Sequence, residues 1–202
     1  LPERDGLILA AGLGNTEITP DALGPAVARG IFATRHIPKE LTKAAGIDLL
    51  RQVSVITPGV LGQTGIEAGE LIKAAAEKIK PAAVIVIDAL AAQSGDRLFK
   101  TVQLCDTGIS PGAGVGNDRP ALNREYMGVP VIALGVPMVV DSSTLVTDML
   151  EMAGVDPLPE GLEPVLKNGR SFFVSLKEAD AALEALTDLL AEGIDLAMEA
   201  AG

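Results

Sequence analysis

Acidic side chains follow the predicted strands of this 202-residue chain, at the points where the strands end. The first strand runs into a glycine-rich loop that carries Glu17 and Asp21, and later strands end at or just before Asp88, Asp106 and Asp141. In open parallel sheets, ligands bind beyond the carboxyl ends of the strands. Two carboxyls brought together there titrate as a coupled pair, in which one can serve as general acid and the other as general base. The pattern therefore makes these acids the candidates for chemistry.

Three of these acids also have a purely structural explanation. Asp21 opens a predicted helix, where the helix dipole favours a carboxylate. Asp141 precedes two serines and suits a helix N-cap, and Asp106 suits a tight turn before glycine. Asp88 directly follows Val-Ile-Val-Ile, near the buried middle of the sheet's end, where a charge without a function costs folding free energy. Asp88 is therefore the strongest candidate from the residues alone.

The elements that must position these acids alternate between strands and helices. Strands are predicted over 7–14, 51–59, 82–88, 100–106 and 129–137, and helices over 21–33, 64–80, 142–154 and 176–200. The continuous β-branched run at 82–88 is typical of a strand buried on both faces, whereas 100–106 resembles an edge strand. The alternation predicts an α/β fold, a three-layer αβα sandwich with a mainly parallel sheet. We expect a single domain over 1–202 with an irregular connection at about 155–171.

Composition narrows the possible functions. The net charge of −11 and an aromatic content of 2% disfavour direct binding of nucleic acid. One cysteine and one histidine exclude a disulfide framework and a cysteine-rich zinc site. Cys105 is expected to be a small buried residue, and His36 a surface or loop residue rather than a base or ligand.

No sequence feature indicates a membrane segment or a bound cofactor. The apolar stretch 129–140 has 12 residues and contains two prolines, too short for a membrane span. The glycine-rich loop after the first strand lacks the third glycine of a dinucleotide fingerprint, and no P-loop is present. We therefore expect a cytoplasmic protein without cofactor or metal.

The tripeptide Asp106-Thr107-Gly108 matches the string found around the catalytic aspartates of pepsin-like proteases. Those enzymes are rich in β-structure and bring two such strings together. This chain has one string within a βα pattern, so Asp106 is not expected to be catalytic.

Five longer segments together resemble the germination protease family of spore-forming bacteria. In chain order they are GLGNTEITPDALGP, TPGVLGQTGIE, VIVIDALAAQ, DTGISPGAGVGNDR and GVPVIALGVPMVVD. The resemblance runs from about Leu7 to Asp148 and is looser in the C-terminal helix. It implies an atypical aspartic endopeptidase that degrades small acid-soluble spore proteins during germination, with a fold similar to hydrogenase-maturation peptidases.

The resemblance also implies roles for individual residues. The family's catalytic aspartates correspond to Asp21 and Asp88. Residues expected to bind substrate or support the site are Gly14, Asn15, Glu17, Gln93, Asp106, Gly114, Asn117 and Asp141. The deeper Asp88 is expected to be the acid and Asp21 the base, although the two roles are exchangeable on this reasoning. Backbone amides of 12–15 or 112–117 are expected to hold the oxyanion.

The resemblance further implies a spore-core location and a homotetramer made as an inactive precursor. The family's N-terminal pro-segment is not evident here, so the mature form or a core of it is expected. Gln93 stands where the family usually has Arg, and Ser110 where it commonly has His. Two alternatives stay open: a metal-dependent peptidase of the hydrogenase-maturation type that uses His36, and a non-catalytic relative that binds spore proteins.

Overall fold

A computed structural model describes residues 6–44, 51–112, 119–155, 157–169 and 172–200. Within these ranges the strands are β1 (Ile8–Gly12), β2 (Val53–Ile56), β3 (Ala83–Ala92), β4 (Gln103–Cys105), β5 (Val131–Asp141) and β6 (Phe173–Val174). The helices are α1 (Leu23–Gly30), α2 (Lys39–Ala44), α3 (Leu61–Thr64), α4 (Ala68–Ile79), α5 (Arg124–Met127), α6 (Ser142–Met152), α7 (Leu162–Asn168) and α8 (Ala179–Ala200). Two 3-10 turns lie at Thr19–Asp21 and Gly95–Arg97.

The strands form one mixed, mostly parallel sheet. Its order is β2-β1-β3-β5-β4, and β6 pairs with the end of β5. The pairs β1–β2, β1–β3 and β3–β5 are parallel, whereas β4 and β6 run antiparallel to β5. The α/β prediction is confirmed, and so is the prediction of an edge strand near 100–106.

Helices cover both faces of the sheet. On one face, α1 and α8 pack against each other and against β1, β3 and β5, through residues such as Leu23, Val27, Leu190 and Ile194. On the other face, Ile72 of α4 joins a second cluster with alternate residues of the same strands. Successive residues of a strand point to opposite faces, so a strand covered on both sides is apolar throughout. The result is a three-layer αβα arrangement.

Two central strands are longer than the sequence predicts. Strand β3 continues four residues beyond Asp88 to Ala92, because 89–92 stay paired with β5. Asp88 therefore lies within a strand and not at its end, which corrects the prediction. Strand β5 likewise continues to Asp141.

The helices also differ in their bounds. The helix predicted over 21–33 begins at Leu23, after the 3-10 turn that carries Asp21. The helix predicted over 64–80 begins at Ala68 as α4, and the separate short helix α3 precedes it and ends before Gly65, whose φ of 71° is left-handed. Helix α7 lies inside the connection predicted to be irregular at 155–171. Helices α2 and α5 and strand β6 are short elements that the apolar periodicity did not indicate.

Candidate active site

Asp88 is a buried carboxyl in the middle of the sheet. It lies in β3 opposite Gly135 of β5, and only 7% of its surface is exposed. Its Oδ1 accepts a hydrogen bond of 2.9 Å from the amide of Ala89. Burial raises the pKa of Asp88 to about 7, and the nearby charge of Asp21 adds to the rise, while the Ala89 amide and Arg119 oppose it. Asp88 is thus suited to carry a proton at near-neutral pH.

Asp21 approaches the same region from the 3-10 turn before α1. The amide of Asn15 donates to Asp21 Oδ2 at 2.9 Å and also to its main-chain oxygen at 3.0 Å. Burial raises the pKa of Asp21, and the Asn15 amide and the positive charge of Arg119 oppose that rise. A half-buried carboxylate that accepts an amide hydrogen bond is better placed than Asp88 to be ionised.

Two glycines allow the turn with Asp21 to reach the sheet. A Cβ on Gly24, in the first turn of α1, would overlap the main-chain oxygens of Leu13 and Ile87. Gly14 has a φ of +119°, and a Cβ there would overlap the main-chain oxygen of Asp21. Without side chains at these positions, α1 packs directly onto the ends of β1 and the middle of β3.

The two carboxyls line two cavities that meet at the site. One cavity, of about 150 Å³, is lined by Leu13, Gly14, Asp21, Gly59, Val60, Ala68, Asp88, Pro111, Gly112 and Arg119. The other, of about 650 Å³, is lined by Ile18, Pro20, Asp21, Asp88, Ala89, Leu90, Ala91, Gln103, Ser110, Gly112, Val139 and Phe173. A water needs only ~10–15 Å³ of such volume, and ligand sites typically measure about 300–1,000 Å³. The smaller cavity can hold water molecules and the larger one a segment of a larger ligand.

Arg119 is a residue of this site to which sequence reasoning gave no role. It lines the smaller cavity, and its Nε lies 3.4 Å from Oε2 of Glu67, the residue that precedes α4. The two side chains are 24% and 34% exposed, respectively. The available signal was their position: Glu67 and Arg119 close two of the five segments that carry the family resemblance.

The sequence matches the family model described as Germination protease over residues 3–153. The chain belongs to the germination protease family. It is 41% identical to the germination protease of Clostridium perfringens strain 13, over 98% of this chain and 67% of that protein. It is 48% identical to the Clostridium tetani relative, over 85% and 51%, and 49% identical to the Bacillus cytotoxicus relative, over 74% and 40%. The chain is accordingly a protease.

Two solved structures show only a distant likeness. A proteasome-assembly chaperone homologue of Mycobacterium tuberculosis and a PAC2 family protein from Streptomyces avermitilis each share 13% identity with this chain. They cover 96% and 95% of it, with TM-scores of 0.33 and 0.31. A likeness this low bears on neither the fold nor the function of this germination protease relative.

The supporting residues inferred from the family resemblance fall into two groups. Gly14 and Asn15 lie at the site: Gly14 lines the smaller cavity, and Asn15 Oδ1 accepts from the amide of Glu17 and from Gln63 Nε2. Glu17 itself is exposed at the rim of this loop. Gly114 and Asn117 lie outside the described residues.

The other three do not line either cavity in the part of the chain that the structure describes. Gln93 is exposed just beyond the end of β3, and Asp106 is exposed in the bend after β4. Asp141 accepts from the amide of Ser143 at 2.7 Å and caps α6. The structural explanation offered for Asp141 therefore fits its contacts.

Two of the backbone amides of 12–15, which were expected to hold an oxyanion, already donate hydrogen bonds within the protein. The amide of Leu13 donates to the oxygen of Ile87 at 2.8 Å, and that of Asn15 donates to Asp21. Both amides are engaged within the protein. Gly112 lines both cavities, and the rest of 112–117 lies outside the described residues.

The single cysteine and the single histidine are both exposed. Cys105 was expected to be buried, and this is wrong, because it lies in the exposed edge strand β4. His36 lies in an exposed turn, as expected for a surface residue. Among the described residues, no cluster of three or more His, Cys, Asp or Glu could hold a metal ion, and no helix is long and apolar enough to cross a membrane.

Proposed function

We propose that this member of the germination protease family is an endopeptidase that uses Asp21 and Asp88 as its acid–base pair. The observation that supports this is the convergence of the two carboxyls on the same two cavities with unequal burial. Unequal environments push the pKa values of paired carboxyls apart, and such separation gives one acid and one base at a single pH.

Hydrolysis would proceed in two balanced steps. In the first, Asp21 carboxylate takes a proton from water, the water oxygen bonds to the peptide carbonyl carbon, and Asp88 gives its proton to the carbonyl oxygen. In the second, Asp21 passes its new proton to the peptide nitrogen and the C–N bond breaks. One hydroxyl of the intermediate returns a proton to Asp88 as the carbonyl reforms. The products are a carboxylic acid and an amine, and both aspartates regain their starting states.

The substrate part of the proposal rests on the family resemblance, which names small acid-soluble spore proteins. The larger cavity supports a peptide substrate, because it combines the carboxyls with apolar residues such as Leu90 and Val139. The same resemblance supports a homotetramer in the cytoplasm of the spore core. A DNA link would be indirect, through the substrates, since the net charge of −11 opposes contact with phosphates.

A digestion tests the proposal directly. The purified chain is incubated with a small acid-soluble spore protein, and the products are read by mass spectrometry beside Asp21→Asn and Asp88→Asn. Asp106→Asn is the matched control, since Asp106 is exposed and does not line either cavity among the described residues. We expect defined cuts with wild type and control, a loss of about 100-fold or more in the two pair variants, and no effect of a chelator.

Other outcomes would count against specific parts. Cleavage that survives Asp88→Asn with an unchanged pH profile would refute the carboxyl pair. Loss of cleavage with chelator would favour a metal-dependent peptidase. An intact substrate that remains bound to the wild-type chain would favour a non-catalytic relative.

A further inference from the structure

Arg119 places a positive charge in the wall of the small cavity that holds both carboxyls. We infer that Arg119, paired with Glu67, is a positioning residue that keeps the Asp21–Asp88 pair singly protonated and so sets the pH range of cleavage. The inference rests on the proposed function, because it assigns a regulator to that same pair.

The contacts of Arg119 fix where its charge lies. Its Nε is 3.4 Å from Glu67 Oε2, and Glu67 directly precedes α4, whose first residue, Ala68, also lines the small cavity. Arg119 lines a second cavity of about 280 Å³ together with Glu67, Glu70 and Tyr126. The side chain thus forms part of the partition between the two cavities, and its ion pair restrains it on the α4 side.

The charged groups around the pair are few among the described residues. Asp88 is faced by Asp21 from the 3-10 turn and by Arg119. Arg119 is faced in turn by Glu67 and Glu70 of the α4 region, while Lys73 of α4 lies 4.5 Å from the centre of the Tyr126 ring. Arg119 is therefore the cation placed to balance a negative charge on the pair.

The proposed reaction moves that negative charge from Asp21 to Asp88 and back. A cation that stabilised only one carboxylate would favour one step and oppose the other. Arg119 lowers the pKa of both carboxyls, so it opposes double protonation without trapping the charge on one of them. Two carboxyls sharing a desolvated site otherwise tend to retain protons.

Substitutions of Arg119 and of Glu67 should move the pH–rate profile in opposite directions along the pH axis. Arg119→Met removes the cation, so both carboxyl pKa values rise and both limbs of the profile move to higher pH. Glu67→Gln keeps an oxygen acceptor for Nε and removes a negative charge, so both limbs move to lower pH. Arg119→Lys restores the charge and brings the limbs back towards wild type. Arg124→Met, on the exposed surface of α5, is the charge-matched control and leaves the limbs in place.

The assay is kcat/KM for a small acid-soluble spore protein across the pH range, with circular dichroism to verify folding. Below the acid limb the rate falls about tenfold per pH unit, so the loss in Arg119→Met is largest at acidic pH. Limbs that stay in place while the rate falls equally at all pH values would overturn the inference and leave Arg119 a structural residue.

A second readout separates this inference from the proposed function. Carboxyl carbons of Asp21 and Asp88 are titrated by NMR in wild type and Arg119→Met, which needs no turnover. If wild type does not cleave the spore protein but the titration midpoints rise in the variant, the proposed function of the Asp21–Asp88 pair fails and the electrostatic role of Arg119 stands. Unchanged midpoints would overturn the role of Arg119 whether or not the chain cleaves.

Discussion

Replacing Asp88 by Asn should abolish cleavage and at the same time stabilise the folded chain at neutral pH. The pKa of Asp88 is raised from 3.8 to about 7 in the folded protein. Well below pH 3.8 the carboxyl is protonated in both the folded and the unfolded state, so its burial carries no charge penalty. As pH rises from 3.8 towards 7, Asp88 ionises in the unfolded chain but not in the folded one. The free energy of unfolding therefore falls across that pH window. At 1.36 kcal/mol per pKa unit, the loss is about 4 kcal/mol.

That amount is a large part of the roughly 5–15 kcal/mol that typically stabilises a protein of this kind. Asparagine has nearly the same shape, keeps an oxygen for the Ala89 amide and cannot ionise. The assay is urea unfolding followed by circular dichroism from pH 4 to pH 8, for wild type, Asp88→Asn and the exposed control Asp106→Asn. The difference between Asp88→Asn and wild type should grow by about 3–4 kcal/mol from pH 4 to above pH 7. Parallel curves would refute the reasoning, because they would mean that Asp88 ionises as easily in the fold as in the unfolded chain.

Two further predictions concern residues that position the site and its neighbours. Gly24→Ala should lower the free energy of unfolding by roughly 1–3 kcal/mol or more and reduce cleavage, because its Cβ meets backbone oxygens and pushes the turn with Asp21 off the sheet. Gly62→Ala, with open space around it, is the matched control in the same unfolding and digestion assays. Asp141→Ala should cost about 1 kcal/mol in unfolding by loss of the α6 cap while cleavage persists, and Asp141→Asn should restore stability. Loss of cleavage in Asp141→Asn would instead give Asp141 a part in the reaction.

The central strands could be predicted from the sequence because their apolar runs fit only one structure, a buried strand. A stretch such as 82–88 is too apolar for an exposed segment and too short for a buried helix, so burial between two helical layers follows directly. The prediction stopped at Asp88 because a carboxylate ends the apolar run. The strand continues because pairing with β5 holds 89–92 in place, and that partner is distant in sequence.

The site was only partly predictable for a similar reason. Asp21 and Asp88 were found from motifs and from their places after glycine-rich and apolar runs. Arg119 closes one of the family segments, but nothing in that position predicts its role, and only the fold brings it to the cavity and to Glu67. Cys105 was misjudged because its apolar neighbours suggested burial, whereas an antiparallel edge strand leaves them exposed.

The placement of the two carboxyls explains how one fold gives them different proton affinities. Asp88 lies within β3 and pairs with Gly135 of β5, so its backbone is fixed in the sheet and cannot move towards water to relieve the cost of burial. Asp21 sits on a short turn, where the Asn15 amide favours its charge and where close glycine contacts set its distance from the sheet. An apolar residue at position 88 would satisfy the strand better, so stability alone does not account for a carboxyl there. The burial of Asp88 accounts both for the expected loss of folding stability at neutral pH and for its proposed role as a proton donor. The Asp88→Asn variant tests both.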